Sequence, residues 1–197
     1  MKQLFRIKLT GMTQRASARP GGRSARVQQS VHQAVRDLLA ECGRDAVTVP
    51  MIAARAGVTP STIYRRWGGL AELLSDVAVE RLRPDAPPAD HGSLRADLLA
   101  WAGQFTEEMS SPAGQMYIRD ALTGDAGQEN ATRCSDYAAG QLTAIGVRGA
   151  GRGEAVPGIE VLLDAVVAPL MYRILFRPSD LSPAYIGRLV DAALGRS

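Results

Sequence analysis

Residues 49–68, VPMIAARAGVTPSTIYRRWG, signal two short helices that meet at one glycine. Thr48 precedes Val49-Pro50, and Thr59 precedes Pro60. Each pair is a cap residue followed by a proline in the first helical turn, where a missing N–H costs little. Val47 and Ile52 fall at the N′ and N4 positions of a hydrophobic staple across the first start. Gly57 lies between the helices, where a tight turn calls for a residue that tolerates positive φ. Ala53, four residues earlier, is small enough for a second helix to cross closely, and Val58 and Ile63 are placed to bury the inside of the corner. This spacing is that of a helix-turn-helix. A plain helical hairpin in a bundle would share it, but the second helix points elsewhere. Its outer face carries Thr59, Ser61, Thr62, Tyr64, Arg65 and Arg66, whose hydroxyls, phenol and guanidiniums suit a groove edged by phosphates.

The rest of the chain repeats with helical period. Val27, Val31, Ala34, Val35, Leu38, Leu39 and Cys42 form one apolar stripe, with Ser24 as the expected N-cap and Gly43 as a left-handed end. A further helix is expected over about 70–82, followed by a Pro/Gly boundary at Pro84, Pro87, Pro88 and Gly92. Helices are expected again over about 93–109, 112–123, 128–146, 159–176 and 182–194. Gly146 to Gly158 reads as a flexible glycine-rich loop. No segment alternates with period two, so the fold class is all-α. The domains expected are a basic disordered arm over 1–22, a helix-turn-helix domain with its connecting helix over 23–83, and a helical body over 92–197. Met12 is a second candidate start.

Charge divides the chain in the same way. Residues 1–68 hold twelve Lys/Arg against three acids, a net of +9; the remainder holds eleven arginines against seventeen acids, a net of −6. A basic head that meets a polyanion and an acidic body that does not fit this split. Seven of the twelve positives lie at or before Arg26, where a disordered arm would also put them. Arg36, Arg44, Arg55, Arg65 and Arg66 therefore carry the argument. Cys42 and Cys134 are far apart and read as small buried hydrophobes in a reducing cytoplasm, not as a disulfide or zinc framework. The apolar run 161–176 is interrupted by Asp164, Pro169 and Arg173, and Met1 to Gly11 lacks an apolar signal-peptide region, so neither membrane nor secreted readings are expected.

The run from Thr48 to Leu74, TVPMIAARAGVTPSTIYRRWGGLAELL, resembles the signature of TetR-type (tetracycline-repressor-like) bacterial transcriptional regulators, over about 50 residues from Arg23 to Leu74. The resemblance implies an N-terminal DNA-binding domain followed by a helical effector-binding and dimerisation domain. It implies that Thr48 caps the first helix of the motif and touches a phosphate. Thr59, Pro60, Ser61 and Thr62 would face the major groove, Tyr64 would bond a phosphate, and Arg65 and Arg66 would contact phosphate or a guanine edge. Trp67 would pack the joint to the connecting helix. At Leu70 the chain departs from the family, whose members usually carry a phosphate-gripping lysine there.

In the body, the run 159–176 is apolar nearly all round, more than one subunit's core needs. With the stripe Tyr185, Ile186, Leu189, Val190, Ala193 and Leu194, it reads as a homodimer interface through about 159–176 and 182–194, as the resemblance also implies. Leu170 and Leu189 are expected on that face. Trp101, Phe105, Met109, Met116, Tyr117, Tyr137 and Tyr172 are the candidates to line a cavity for a small, mostly apolar effector. The function expected is a dimeric repressor on a palindromic double-stranded DNA operator, released by that effector. The alternatives are a helical DNA-binding protein with no small effector and a small helical enzyme. The enzyme reading is weak: His32 is expected on the polar side of the first helix, His91 lies in the Pro-rich boundary, and neither has a nucleophile or metal partner in sequence. Glu107-Glu108 read as solvated. No metal or cofactor is expected.

Overall fold

Val47 and Ile52 are both buried, as a staple across a helix start requires, and α2 (Val49–Ala56) begins directly after Thr48. The structure, a computed structural model, describes residues 22–124, 129–178 and 181–196. The expected arm over 1–22, apart from Gly22, lies outside the described residues, as does Met12. Regular structure among the described residues is entirely helical, and the chain forms two compact units, one ending at Val58 and one beginning at Thr59.

The first unit packs α1 (Arg23–Cys42) on a 3-10 turn (Arg44–Ala46) and α2. Val31, Ala34, Val35 and Leu38 of α1 are buried, as are Val49, Ile52 and Ala53 of α2. Several local expectations are corrected here. Helix α1 starts at Arg23 with Gly22 as N-cap, so Ser24 lies inside it. Gly43 has φ 76° but ψ 167°, outside the left-handed helical region. Thr48 is the N-cap of α2, yet its hydroxyl makes no cap hydrogen bond, and Pro50 at N2 has no amide to offer it. His32 is buried beside Val31 and Val35 rather than on the polar side. Cys42 is exposed, its thiol donating to the Leu38 carbonyl at 3.1 Å.

The second unit holds α3 (Pro60–Trp67), α4 (Leu70–Leu82), α5 (Leu94–Ser110), α6 (Pro112–Thr123), α7 (Glu129–Gly151), α8 (Ile159–Leu162), α9 (Ala168–Phe176) and α10 (Pro183–Ala193). Its main core joins Leu94, Leu98 and Ala102 of α5, Leu142 and Ile145 of α7, Leu162, Val166 and Leu170, and Ile186, Val190 and Ala193 of α10. A smaller cluster joins Ala78 and Val79 of α4 to Ala121 of α6. Helix α7 corrects the loop expected from Gly146. It runs on through Gly151 because Gly146 and Gly149 are sites of close approach: a Cβ on Gly149 would sit 3.2 Å from Leu94 Cδ1, and one on Gly146 would sit 3.1 Å from Val156 Cγ1. The run 159–176 is helical throughout, but passes through a π-helical turn (Leu163–Val167) just before Pro169. Proline has no N–H for the ladder and its ring crowds the preceding turn, and a π turn relieves both.

The stretch between α4 and α5 is held by buried charge. Asp97 of α5, its side chain fully buried, accepts from the His91 N–H at 2.6 Å and from Arg152 at 3.0 Å, with Arg148 at 3.4 Å. Arg148 also donates to the Pro88 and Ala89 carbonyls, and Glu154 accepts from Leu94 N–H at the start of α5. Burial by itself would raise the Asp97 carboxyl. The His91 N–H and the guanidiniums of Arg152 and Arg148 outweigh it and hold the group below the ordinary carboxylate range. Arg152 and the Leu94 N–H hold Glu154 low likewise. A carboxylate depressed in the folded state stabilises it above its unfolded pKa of about 4, and that contribution is lost as pH falls below this value through the folded one. Asp97→Asn should therefore cost about 1–3 kcal/mol at neutral pH, and its deficit should shrink in acid. Urea melts at pH 7 and pH 3 check this; equal deficits at both would contradict it.

Candidate nucleic-acid interface

Helix α2 ends on Gly57, whose φ of 67° and ψ of 33° are the left-handed geometry its sequence position calls for. Val58 N–H bonds back to the Ala53 carbonyl at 3.0 Å, closing the turn. Ala53 and Ile63 are both buried. Thr59 then caps α3 by position, with Pro60 at N1, but its hydroxyl does not serve the first-turn amides. It lies 2.9 Å from Ser61 Oγ and 3.0 Å from Thr62 Oγ1, making a cluster of three hydroxyls at the start of the helix. Thr59, Pro60, Ser61, Tyr64, Arg65 and Arg66 are exposed, Thr62 is half-buried, and Ile63 faces inward. Tyr64 is 52% exposed, high for a large aromatic ring. Of the residues expected to face a groove, those at and after Thr59 are thus exposed apart from the half-buried Thr62. Thr48, exposed at the start of α2, belongs to the first unit.

The end of α3 is fixed from behind. Trp67 Nε1–H donates to Asp76 Oδ2 at 2.9 Å, and the Arg66 guanidinium lies over the Trp67 ring at 5.0 Å. Trp67 therefore packs the joint between α3 and α4. Asp76 was not singled out from the sequence: it lies nine residues on, and nothing in the chain pattern ties it to an indole. Arg55, counted among the basic residues of the head, is engaged by Glu41 through two hydrogen bonds of 2.7 and 2.8 Å. That pairing raises Arg55 and lowers Glu41 from their ordinary values, and it withdraws Arg55 from the positive surface.

Leu70 is the first residue of α4, after Gly68-Gly69, and is half-buried; Leu73, Leu74 and Val77 of the same stripe are buried. Free amides and the helix dipole favour a phosphate at such a start. Leu70→Lys should then tighten binding to any DNA and steepen the log–log salt slope by about 2 for a dimer, at about 0.9 per phosphate. A lower melting temperature with an unchanged slope would show Leu70 to be a core residue instead.

Two family models match the chain: "Bacterial regulatory proteins, tetR family" over residues 33–77 and "Tetracyclin repressor-like, C-terminal domain" over 88–193. The chain belongs to the TetR family. It is 30% identical over 183 residues to the HTH-type transcriptional regulator YdeS of Bacillus subtilis, covering 88% of this chain and 91% of that protein. It is 31% identical over 166 residues to the DNA-binding transcriptional repressor TetR of Mycobacteroides abscessus, covering 77% and 83%. A TetR regulator of Agrobacterium tumefaciens shares the fold at a TM-score of 0.55 and 19% identity, over 86% of this chain and 92% of that one. The chain is a helix-turn-helix transcriptional regulator, not an enzyme.

The effector candidates of this TetR-family body are distributed rather than gathered. Trp101 and Phe105 of α5 stack with centroids 5.1 Å apart and pack on the main core. Tyr117 and Tyr137 pack on the smaller cluster, with Arg81 over the Tyr117 ring at 6.0 Å. Met109 and Met116 are half-buried. Tyr172 is 56% exposed and tilts against Phe176 at 5.4 Å. A shallow groove of about 250 Å³ lies elsewhere, between Leu142, Thr143, Gly146, Val147 and Ala150 of α7 and Val156, Pro157, Ile159 and Leu162. Glu107 and Glu108 are exposed, as expected. Leu170 is corrected: it is fully buried in the chain's own core, in register with Leu162, Val166 and Ile174. Leu189 is half-buried against the same core. The opposite side of the run carries Val161, Asp164, Ala168, Tyr172 and Phe176, all exposed. Among the described residues no cluster of His, Cys, Asp and Glu could hold a metal, and no helix is long and apolar enough to cross a membrane.

Proposed function

We propose that this regulator is a cytoplasmic, dimeric repressor: two copies set their α3 helices on a palindromic operator, and a small, mostly apolar effector releases them. The outward face of α3 carries the reading, with hydroxyls at its start, Tyr64 in the middle and two guanidiniums at its end. Phosphate contacts from Thr48 and Tyr64 would set register, and Arg65 and Arg66 are suited to a guanine edge or a phosphate. Dimerisation is supported by the exposed stripe Val161, Ala168, Tyr172 and Phe176, which leaves apolar side chains in water until a second copy covers them. The name of the Mycobacteroides relative favours repression over activation. For the effector, the support is the aromatic, largely apolar character of two separate groups, the Trp101–Phe105 stack on the main core and the Tyr117 and Tyr137 rings on the smaller cluster, with Met109 and Met116 beside them in sequence. Tyr172, on the outward stripe, is better suited to the subunit interface.

The test is selection by the purified protein from a random pool of duplexes about three helical turns long. An enriched inverted repeat, bound with steep salt dependence, is expected. No enrichment, or binding indifferent to salt, would contradict the reading.

A further inference from the structure

Behind the groove-facing surface of α3 lies a polar connection that DNA contact alone does not require. The Asp76 carboxylate presents one oxygen to each of two helices. Oδ2 accepts the Trp67 indole N–H at 2.9 Å, at the end of α3, and Oδ1 faces Arg133 Nη1 of α7 at 3.5 Å. Arg133 also donates to Asn130 Oδ1 at 3.2 Å; Asn130 Nδ2 donates to Ser75 Oγ at 2.8 Å, and Ser75 Oγ donates to the Ala121 carbonyl of α6 at 2.8 Å. Ser75 is fully buried and Asp76 is only partly exposed, so water competes poorly for the bonds of Ser75. About one turn of α4 before these bonds, the α6 end touches α4 closely too. A Cβ on Gly124 would collide with the Ala71 backbone, so the first turns of α4 have one seat. On the other side of the indole, the Arg66 guanidinium lies over the ring.

We propose that Asp76 is a positioning residue for DNA binding: by holding the Trp67 indole against α4 it sets the ring on which Arg66 rests, and so the direction in which Arg66 meets DNA. The inference rests on α3 being the groove-facing helix. Asp76 itself touches no DNA. Its effect passes through Trp67, and the indole N–H is the group that carries it.

The test uses the full chain and the duplex it selects from the random pool. Asp76→Ala and Trp67→Phe should each weaken binding about tenfold, the scale of one lost hydrogen bond to a charged acceptor. The double variant should be no weaker than the weaker single, since both remove the same bond. Asp76→Asn keeps an oxygen acceptor for the indole and should restore affinity to within about threefold of the native chain. A general loss of structure would instead lower the melting temperature of Asp76→Ala and Trp67→Phe in step with their affinity. Native affinity for Trp67→Phe at an unchanged melting temperature would overturn the proposal, and so would losses that multiply in the double variant. If Arg65→Ala and Arg66→Ala also bind like the native chain, the assignment of α3 has failed; if they weaken and Asp76→Ala does not, only this inference has.

Discussion

Phe176→Glu is expected to turn the proposed dimer into a monomer without unfolding the subunit. Phe176 is 70% exposed and Tyr172, its tilted neighbour, 56% exposed, so the subunit's own core depends on neither. A two-fold interface uses each residue twice, and a buried aromatic anchor replaced by a charge costs about 2–4 kcal/mol per copy, or about 4–8 kcal/mol per dimer. At micromolar concentration that is enough to leave monomers. Sedimentation of the variant should show the subunit mass, with a melting curve that no longer depends on protein concentration. Leu170→Glu is the contrast. It puts a carboxylate into the fully buried stripe of Leu162, Val166 and Ile174, and should unfold the body rather than divide the dimer. A Phe176→Glu protein that sediments as a native dimer would refute the placement of the interface.

The second large effect is expected at the end of α3. Removing both guanidiniums in Arg65→Ala/Arg66→Ala should cost about 1–3 kcal/mol for each arginine that reads a base, and a dimer counts each loss twice. The selected duplex should then lose at least a hundredfold in affinity, and its advantage over unrelated DNA should shrink. Tyr64→Phe removes one hydroxyl from a phosphate contact, so it should weaken all sequences alike and leave that ratio intact. Gel shifts on selected and scrambled duplexes separate the two outcomes. Equal losses on both duplexes for the double variant would make the arginines phosphate contacts; no loss on either would remove them from the interface.

The parts of the fold written locally were legible in the chain. Helix α4 spans Leu70–Leu82 and α6 spans Pro112–Thr123, as periodicity and turn residues indicate, and Ser93, Ser111 and Ser182 cap their helices through their hydroxyls. The turn at Gly57 was legible because only one residue type fits it cheaply. What depends on tertiary contact was not. Gly146 and Gly149 read as helix breakers, yet the side chains of Leu94 and Val156 need the space they leave. The run 159–176 is apolar on every side, so its pattern could not say that Leu170 faces inward and Phe176 outward. The π turn before Pro169 also shifts the register by a residue. His32 sits one residue from an apolar stripe and was assigned to the wrong side of it. On the candidate site, the outward side chains of α3 follow from its sequence, whereas the Trp67–Asp76 bond and the Arg55–Glu41 pair join residues that no local rule connects.

The central claim is that two α3 helices read one duplex. Hydroxyl-radical footprinting of the native protein on its selected duplex tests it most directly. The account predicts two protected patches related by two-fold symmetry, centred about 34–36 Å apart or a multiple of that, both lost together in Phe176→Glu at the same protein concentration. A single patch for the native protein, or two patches that survive in Arg65→Ala/Arg66→Ala at native affinity, would contradict it.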